Sequence, residues 1–284
     1  MTSPTAAASF GLMSAATWGG SDFVGGIGAR RAPAILVVAS GHVFSLVVML
    51  ALCLGIRVSL PGSYYLFFAA LGGFEGSLAL AIFYRALAMG AMGLTAALTG
   101  LLTALVPVLF SLFQEGLPAP LTVAGLALGL IAIWLITHTP GKENANAAST
   151  PPAALLLGAL AGIGFGTQLI LFKMASPGGM MWVMTSARAA GVAAMLLFLV
   201  FMPPTRPWRG FWLTGIAAGS LDTIGNLFYL QATRFGRLDV AALICSLYPA
   251  GTILLAALVL RERPTRRQVA GMALALGAVL LLSV

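Results

Sequence analysis

Charge is what this sequence has least of. Of 284 residues only 8% are Asp, Glu, Lys or Arg, and seven in all are acidic. A water-soluble domain of this size cannot be built on so few charges, because most of its surface would then be apolar. Cysteine is almost absent too. Cys53 and Cys245 both fall inside apolar runs, which reads as packing rather than as a disulfide framework. There is no His-Glu-x-x-His helix, no Gly-x-x-x-x-Gly-Lys-Ser/Thr loop and no Gly-x-Ser-x-Gly elbow. Metallohydrolase, nucleotide-driven and serine-hydrolase chemistries therefore have no motif to rest on. An intramembrane hydrolase built on Asp22 and Asp222 would need one as well. No cofactor is expected.

What the chain has instead is hydrophobicity, 60% of its residues, arranged in runs of the length that crosses a bilayer. Ten spans are read, at 9–28, 33–55, 64–88, 91–113, 119–138, 153–175, 179–202, 210–233, 238–260 and 266–284. The fold class is an all-α polytopic membrane protein. The net charge of +8 is then topology and contact with anionic lipid, not nucleic-acid binding. The first run has no basic leader and is broken by Gly19, Gly20 and Asp22, so it is read as a span rather than a cleaved signal.

The runs repeat. Val123-Ala124-Gly125-Leu126-Ala127-Leu128-Gly129-Leu130 returns as Val269-Ala270-Gly271-Met272-Ala273-Leu274-Ala275-Leu276, 146 positions later. The same shift lays Gly73 on Gly219, His42 on Arg188, Ala96 on Ala242 and Pro118 on Pro264. Near the start one further residue is needed, placing Gly11 on Gly158 and Trp18 on Phe165. The expected organisation is a first five-helix repeat at 1–138, a linker at 139–152 and a second five-helix repeat at 153–284. Five is odd, so the second copy enters from the opposite side, and the two are expected to be inverted repeats. Glycines four apart, as in Gly158-Gly162-Gly166, suit close helix packing.

Orientation follows from the loops. Arg57, Lys173, Arg234 and Arg237 lie on the side of the termini; ten Lys or Arg lie on the other, among them Arg30, Arg31, Arg261, Arg263, Arg266 and Arg267. By the positive-inside rule the termini are outside. Glu262, set among those arginines, reads as part of a solvated charge cluster.

Trp18-Gly19 in the first span, Pro249 in the ninth, and Glu262 followed by Gly271 and Gly277 carry a resemblance over nearly the whole chain. The sequence resembles the EamA-type family of the drug/metabolite transporter superfamily, and within it looks similar to the YddG-like exporters of amino acids. That resemblance implies ten helices in two inverted repeats, an inner-membrane location and cytoplasmic termini, the last against the charge count. The sequence departs from the pattern in having Thr103 where the second half has Pro249, with Pro107 one turn away.

Ionisable residues inside spans point to function. Arg188, Glu75, Asp222, His42 and Asp22 qualify, with Gln168 and Asn226 as polar neighbours. Arg188 offers a planar fork for a substrate carboxylate, or else pairs with Glu75 or Asp222 and fixes helices. Glu75 and Asp222 are candidates to hold a substrate ammonium or a coupling proton, since desolvation favours a protonated carboxyl, and His42 is a candidate proton relay. Asp22, beside Gly20 and Gly25, is read equally as a bond across a helix contact. Trp18, Phe83, Tyr84, Phe165, Tyr229 and Tyr248 could wall a pocket or simply pack; Trp18 and Tyr248 stand out because they flank Gly19 and Pro249. Pro249 is the expected hinge of span nine. The function these residues suggest is a secondary transporter exporting amino acids or similar small amphipathic metabolites, with other metabolites or drugs (nucleosides, sugars, cations) as alternative cargo and a channel or intramembrane enzyme as further ones. A monomer in the lipid bilayer with a small-molecule substrate is expected, and not an enzyme.

Overall fold

The computed structural model describes residues 3–89, 92–137, 151–201, 210–261 and 265–282. The linker at 139–150, Lys142, Arg206, Arg209, Glu262, Arg263 and Pro264 lie outside the described residues. Within them the chain is all-helical: α1 (Pro4–Arg31), α2 (Ala34–Gly55), α3 (Ser63–Met89), α4 (Met92–Gln114), α5 (Pro120–Thr137), α6 (Pro152–Ala175), α7 (Met180–Phe201), α8 (Phe211–Phe235), α9 (Leu238–Cys245), α10 (Tyr248–Val259) and α11 (Arg266–Leu282). Five stretches are long and apolar enough to cross a membrane: Ala34–Gly55, Ser63–Met89, Pro152–Gly178, Met180–Phe201 and, taken as one span, Leu238–Val259. Shorter apolar stretches lie in α4 and α5. Large apolar side chains such as Val47, Phe113 and Leu258 point outward, as lipid-facing residues do.

Two boundaries differ from the sequence reading for local reasons. The first helix starts at Pro4, not near residue 9, because the Ser3 side chain accepts from the Ala6 N–H (3.3 Å) and proline suits the first helical position. The ninth span is not one kinked helix but two helices. Pro249 has no N–H for the Cys245 carbonyl and its ring crowds it, so α9 ends at Cys245 and Pro249 becomes the second residue of α10. Tight three-residue hydrogen bonds, Leu247 N–H to Ile244 (3.2 Å) and Ala250 N–H to Leu247 (3.0 Å), carry the chain across the break.

Helix packing follows the repeat. With α1 equivalent to α6, α2 to α7, α3 to α8, α4 to α9–α10 and α5 to α11, the largest seams have exchanged counterparts, whereas α4·α5 has none of comparable size and α1·α3 only a slight one in α6·α8. α1 packs on α8 as α3 does on α6, α2 on α8 as α3 on α7, and α4 on α6 as α1 on α9 and α10. The pairs α2·α7 and α5·α11 exchange with themselves. The atomic contacts agree: a Cβ on Gly73 would strike the Ala187 backbone, and one on Gly219 would strike the backbone of Gly41. Those four positions are related by the 146-residue shift. Lipid chains are as apolar as leucine, so such seams are held by close backbone approach and by hydrogen bonds between helices. Ser14 and Ser21 of α1 donate to the Gly225 and Ala218 carbonyls of α8, each at 2.9 Å, and Thr99 of α4 donates to Gly158 of α6 at 2.9 Å.

Candidate functional site

The helices leave a cavity between them, lined by Trp18 and Asp22 of α1, Leu80 of α3, Thr103 of α4, Phe165, Gln168 and Leu169 of α6, Asp222 and Asn226 of α8, and Tyr248 at the start of α10. Trp18 and Asp22, like Asp222 and Asn226, are one turn apart and so share a helix face. The lining obeys the repeat in position but not in chemistry. Trp18 matches Phe165 and Asp22 matches Leu169 under the early shift, while Leu80 matches Asn226 under the later one. At equivalent places, then, α1 and α8 supply a charged and polar wall, and α3 and α6 a largely apolar one.

Behind the polar wall runs a buried chain of hydrogen bonds. Arg188 Nη2 donates to Asp222 Oδ2 at 2.6 Å as an ion pair, and its Nη1 lies 3.2 Å from His42 Nδ1. The other ring nitrogen of His42 lies 2.7 Å from Ser77 Oγ, which donates to the Gly73 carbonyl at 2.5 Å. Asn226 Nδ2 donates to Asp222 Oδ1 at 3.1 Å. Both oxygens of Asp222 are thus engaged. His42 and Arg188, equivalents under the repeat, touch each other where the two halves meet.

Of the residues expected at the site, Trp18, Tyr248, Asp222, Asn226 and Gln168 line the cavity, and Pro249 sits beside it in the first turn of α10. Arg188 and His42 are held behind the wall, not in it. Of the two acids open to Arg188 in the sequence, the structure pairs it with Asp222. Glu75 stands apart: it is half-buried on the α3·α6 seam beside Gly164, with no ion pair among the described residues. One residue separates Glu75 from Gly76, the true equivalent of Asp222, and one residue turns a helix by about 100°.

Aromatic residues split the same way. Trp18, Phe165 and Tyr248 reach the cavity. Phe83, Tyr84 and Tyr229 pack behind it: the Tyr229 hydroxyl donates to the Leu169 carbonyl at 2.7 Å, and Tyr84 bonds Ser21 at 2.9 Å. Phe83 supports both Phe165 (centroids 5.7 Å apart) and Tyr248 (6.3 Å). Asp22, open in the sequence to a functional role or to a bond across a helix contact, lines the cavity. Its spacing of four from Trp18 was the signal that could have placed it there. Thr103, Leu80 and Leu169 carried no signal distinguishing them from other packing residues.

Away from the cavity, on the side where α4 and α8 end, a second polar cluster joins the halves. Arg237, between α8 and α9, donates to Asp239 Oδ2 (3.0 Å) and to the Gly116 carbonyl (3.0 Å), with Glu115 Oε2 at 3.7 Å. Bonding to Asp239 raises the Arg237 pKa above its ordinary value, outweighing its partial burial, so this guanidinium stays charged. Lys173 closes the end of α8 by donating to the Thr233 carbonyl at 2.6 Å.

A bundle of apolar helices of membrane-spanning length, here enclosing a cavity with one polar and one apolar wall, is the architecture of a polytopic membrane protein. Residues 152–284, just under half of the chain, match the model of the EamA-like transporter family. The second half is thus similar to the EamA-like transporters. A crystal structure of a protein 20% identical in sequence superposes with a TM-score of 0.76 over 99% of both chains, a likeness of fold. Comparison with curated proteins gives no match.

Proposed function

We infer that the protein is a secondary transporter of the inner membrane that exports small amphipathic metabolites, amino acids among them, by alternating access through this cavity. The observation that carries the reading is the cavity's two-sided lining: an amphipathic molecule matches a pocket with Asp22, Asp222 and Asn226 on one side and Leu80, Phe165 and Leu169 on the other. Trp18 and Tyr248 contact the substrate's apolar part. Arg188 acts through Asp222, holding α7 to α8 behind the site.

Exchange of seams between the halves supports two inverted repeats, 1–138 and 153–284, which rock against each other to expose the cavity to either side. The break before Pro249 gives α9 and α10 freedom to swing separately. Arg237, bridging the α4–α5 loop to α9, is suited to clasp the halves on one face and release them as the other closes. Any uphill movement draws on an ion gradient, with Asp222, Glu75 and His42 as the groups from which a coupling proton site would be drawn.

The test is efflux of a mixed labelled amino-acid pool from liposomes holding the purified protein, with and without a pH gradient. Saturable, selective efflux is expected. Conductance that does not saturate would make the protein a channel, and absence of efflux under both conditions would overturn the amino-acid reading.

A further inference from the structure

Two acids face the cavity, and only one of them is spoken for. Asp222 has Arg188 on one oxygen and Asn226 on the other. Asp22 is 5% exposed, and among the described residues its carboxylate has no hydrogen bond and no ion pair. Among the described residues Arg188 offsets Asp222, and no cation pairs with Asp22. A carboxyl drawn out of water in this way either holds a proton or is stabilised as the anion by a positive partner. Among the described residues no Lys or Arg lines the cavity, and Arg188 is held on the far side of Asp222, shared with His42.

The surroundings of Asp22 say what kind of partner fits. Trp18 lies one turn away on the same face of α1, and Tyr248 stands edge-on to it with ring centroids 6.3 Å apart. Phe165 lines the same space. Aromatic faces beside an unpaired carboxylate form the arrangement that attracts organic cations, because the ring quadrupole and the acid act on the same charge. Opposite Asp22, at the equivalent position of the repeat, is Leu169, so the site offers its negative charge on one wall alone.

We propose that Asp22 anchors the cationic nitrogen of the substrate, against Trp18 and Tyr248, so that the cavity selects molecules carrying an ammonium group next to an apolar body. This rests on the transporter reading above and narrows it. A carboxylate on the substrate is tolerated but not recognised, since Arg188 is already neutralised and does not line the cavity. Amines and amino acids are therefore the substrate class, and simple organic acids are not.

The experiment is calorimetric titration of the full-length protein in lipid nanodiscs with three probes of similar size: 2-phenylethylammonium, phenylalanine and 3-phenylpropionate. Binding of the amine and no binding of 3-phenylpropionate are expected, with Asp22→Asn lowering amine affinity at least tenfold. Trp18→Leu, which leaves the charge in place, is expected to lower it several-fold at an unchanged melting temperature, and it keeps the test open should Asp22→Asn not fold. Amine binding unchanged in Asp22→Asn or in Trp18→Leu, no amine binding by the unaltered protein, or 3-phenylpropionate binding as tightly as the amine would each overturn the proposal. The transport reading fails separately: amine binding that depends on Asp22 without any efflux from liposomes would remove transport and leave the site. Efflux insensitive to Asp22→Asn would remove the site and leave transport.

Discussion

The two halves of this chain agree where helices touch and differ where they line the cavity. Gly73 against Ala187 and Gly219 against Gly41 are the same contact made twice. His42 and Arg188, Gly76 and Asp222, Thr103 and Pro249, Asp22 and Leu169 are equivalent places filled by unlike residues. Backbone approach tolerates little change, because no side chain can be fitted where two helices already meet. A wall facing open space has no such constraint. The repeat thus supplies a frame, and departures from it supply a site with a polar and an apolar side.

The largest effect is expected at the centre. Arg188→Ala would leave Asp222 buried without its cation, and a loss of about 3–5 kcal/mol of stability is expected, read as a lowered melting temperature of the solubilised protein. A double Arg188→Gln, Asp222→Asn variant should recover most of it. On the other half, His42→Ala removes a neutral partner and should cost only ~1–2 kcal/mol; equal losses at the two positions would break the contrast drawn between them. Loss of transport in Arg188→Ala is therefore not evidence of substrate contact unless folded protein is recovered.

Next come the matched glycines. Gly73→Ala and Gly219→Ala each press a methyl into the facing helix backbone, and both should destabilise by roughly 1–3 kcal/mol. Similar values by thermal unfolding would sharpen the equivalence of the halves, whereas a gap of several kcal/mol would break it.

Pro249→Ala should change stability by less than about 1 kcal/mol while slowing efflux severalfold, because α9 and α10 can then join through the Cys245 carbonyl. Pro107→Ala, inside an α4 that is already one helix, should leave efflux nearly unchanged. Equal effects of the two would show that the break plays no part in movement. Arg237→Gln is expected to cost about 1–3 kcal/mol, because Arg237 is partly exposed but the buried Asp239 loses its charged partner; a change in efflux rate beyond that seen in equally destabilised variants would report the clasp itself.

Most of the frame was legible in the sequence. Span length follows from bilayer thickness, and a single shift that works along the chain puts His42 and Arg188 in register, which is why their contact could be anticipated. The partner of Arg188 could not. Glu75 and Asp222 lie almost equally placed along their helices, and a difference of one residue sends Glu75 to the α3·α6 seam. Pro249 was the expected hinge of span nine, and the helix breaks just before it; Pro107 sits within an unbroken helix, so proline alone does not say whether a span kinks or parts. Asp22 carried its signal in its spacing from Trp18, but the neighbouring glycines argued for a helix contact just as well.

The touch between His42 and Arg188 has a consequence for how such a molecule can be assembled. Where two identical subunits are related by a two-fold axis, a residue on the axis meets its own copy. Arginine facing arginine in a dry interior would drive the pair apart, and histidine facing histidine would leave Asp222 without a cation. A single polypeptide escapes that symmetry, since each copy can be altered alone. Non-identity of the halves is thus a condition for the charge arrangement at the centre, and two identical copies of either half could not reproduce it.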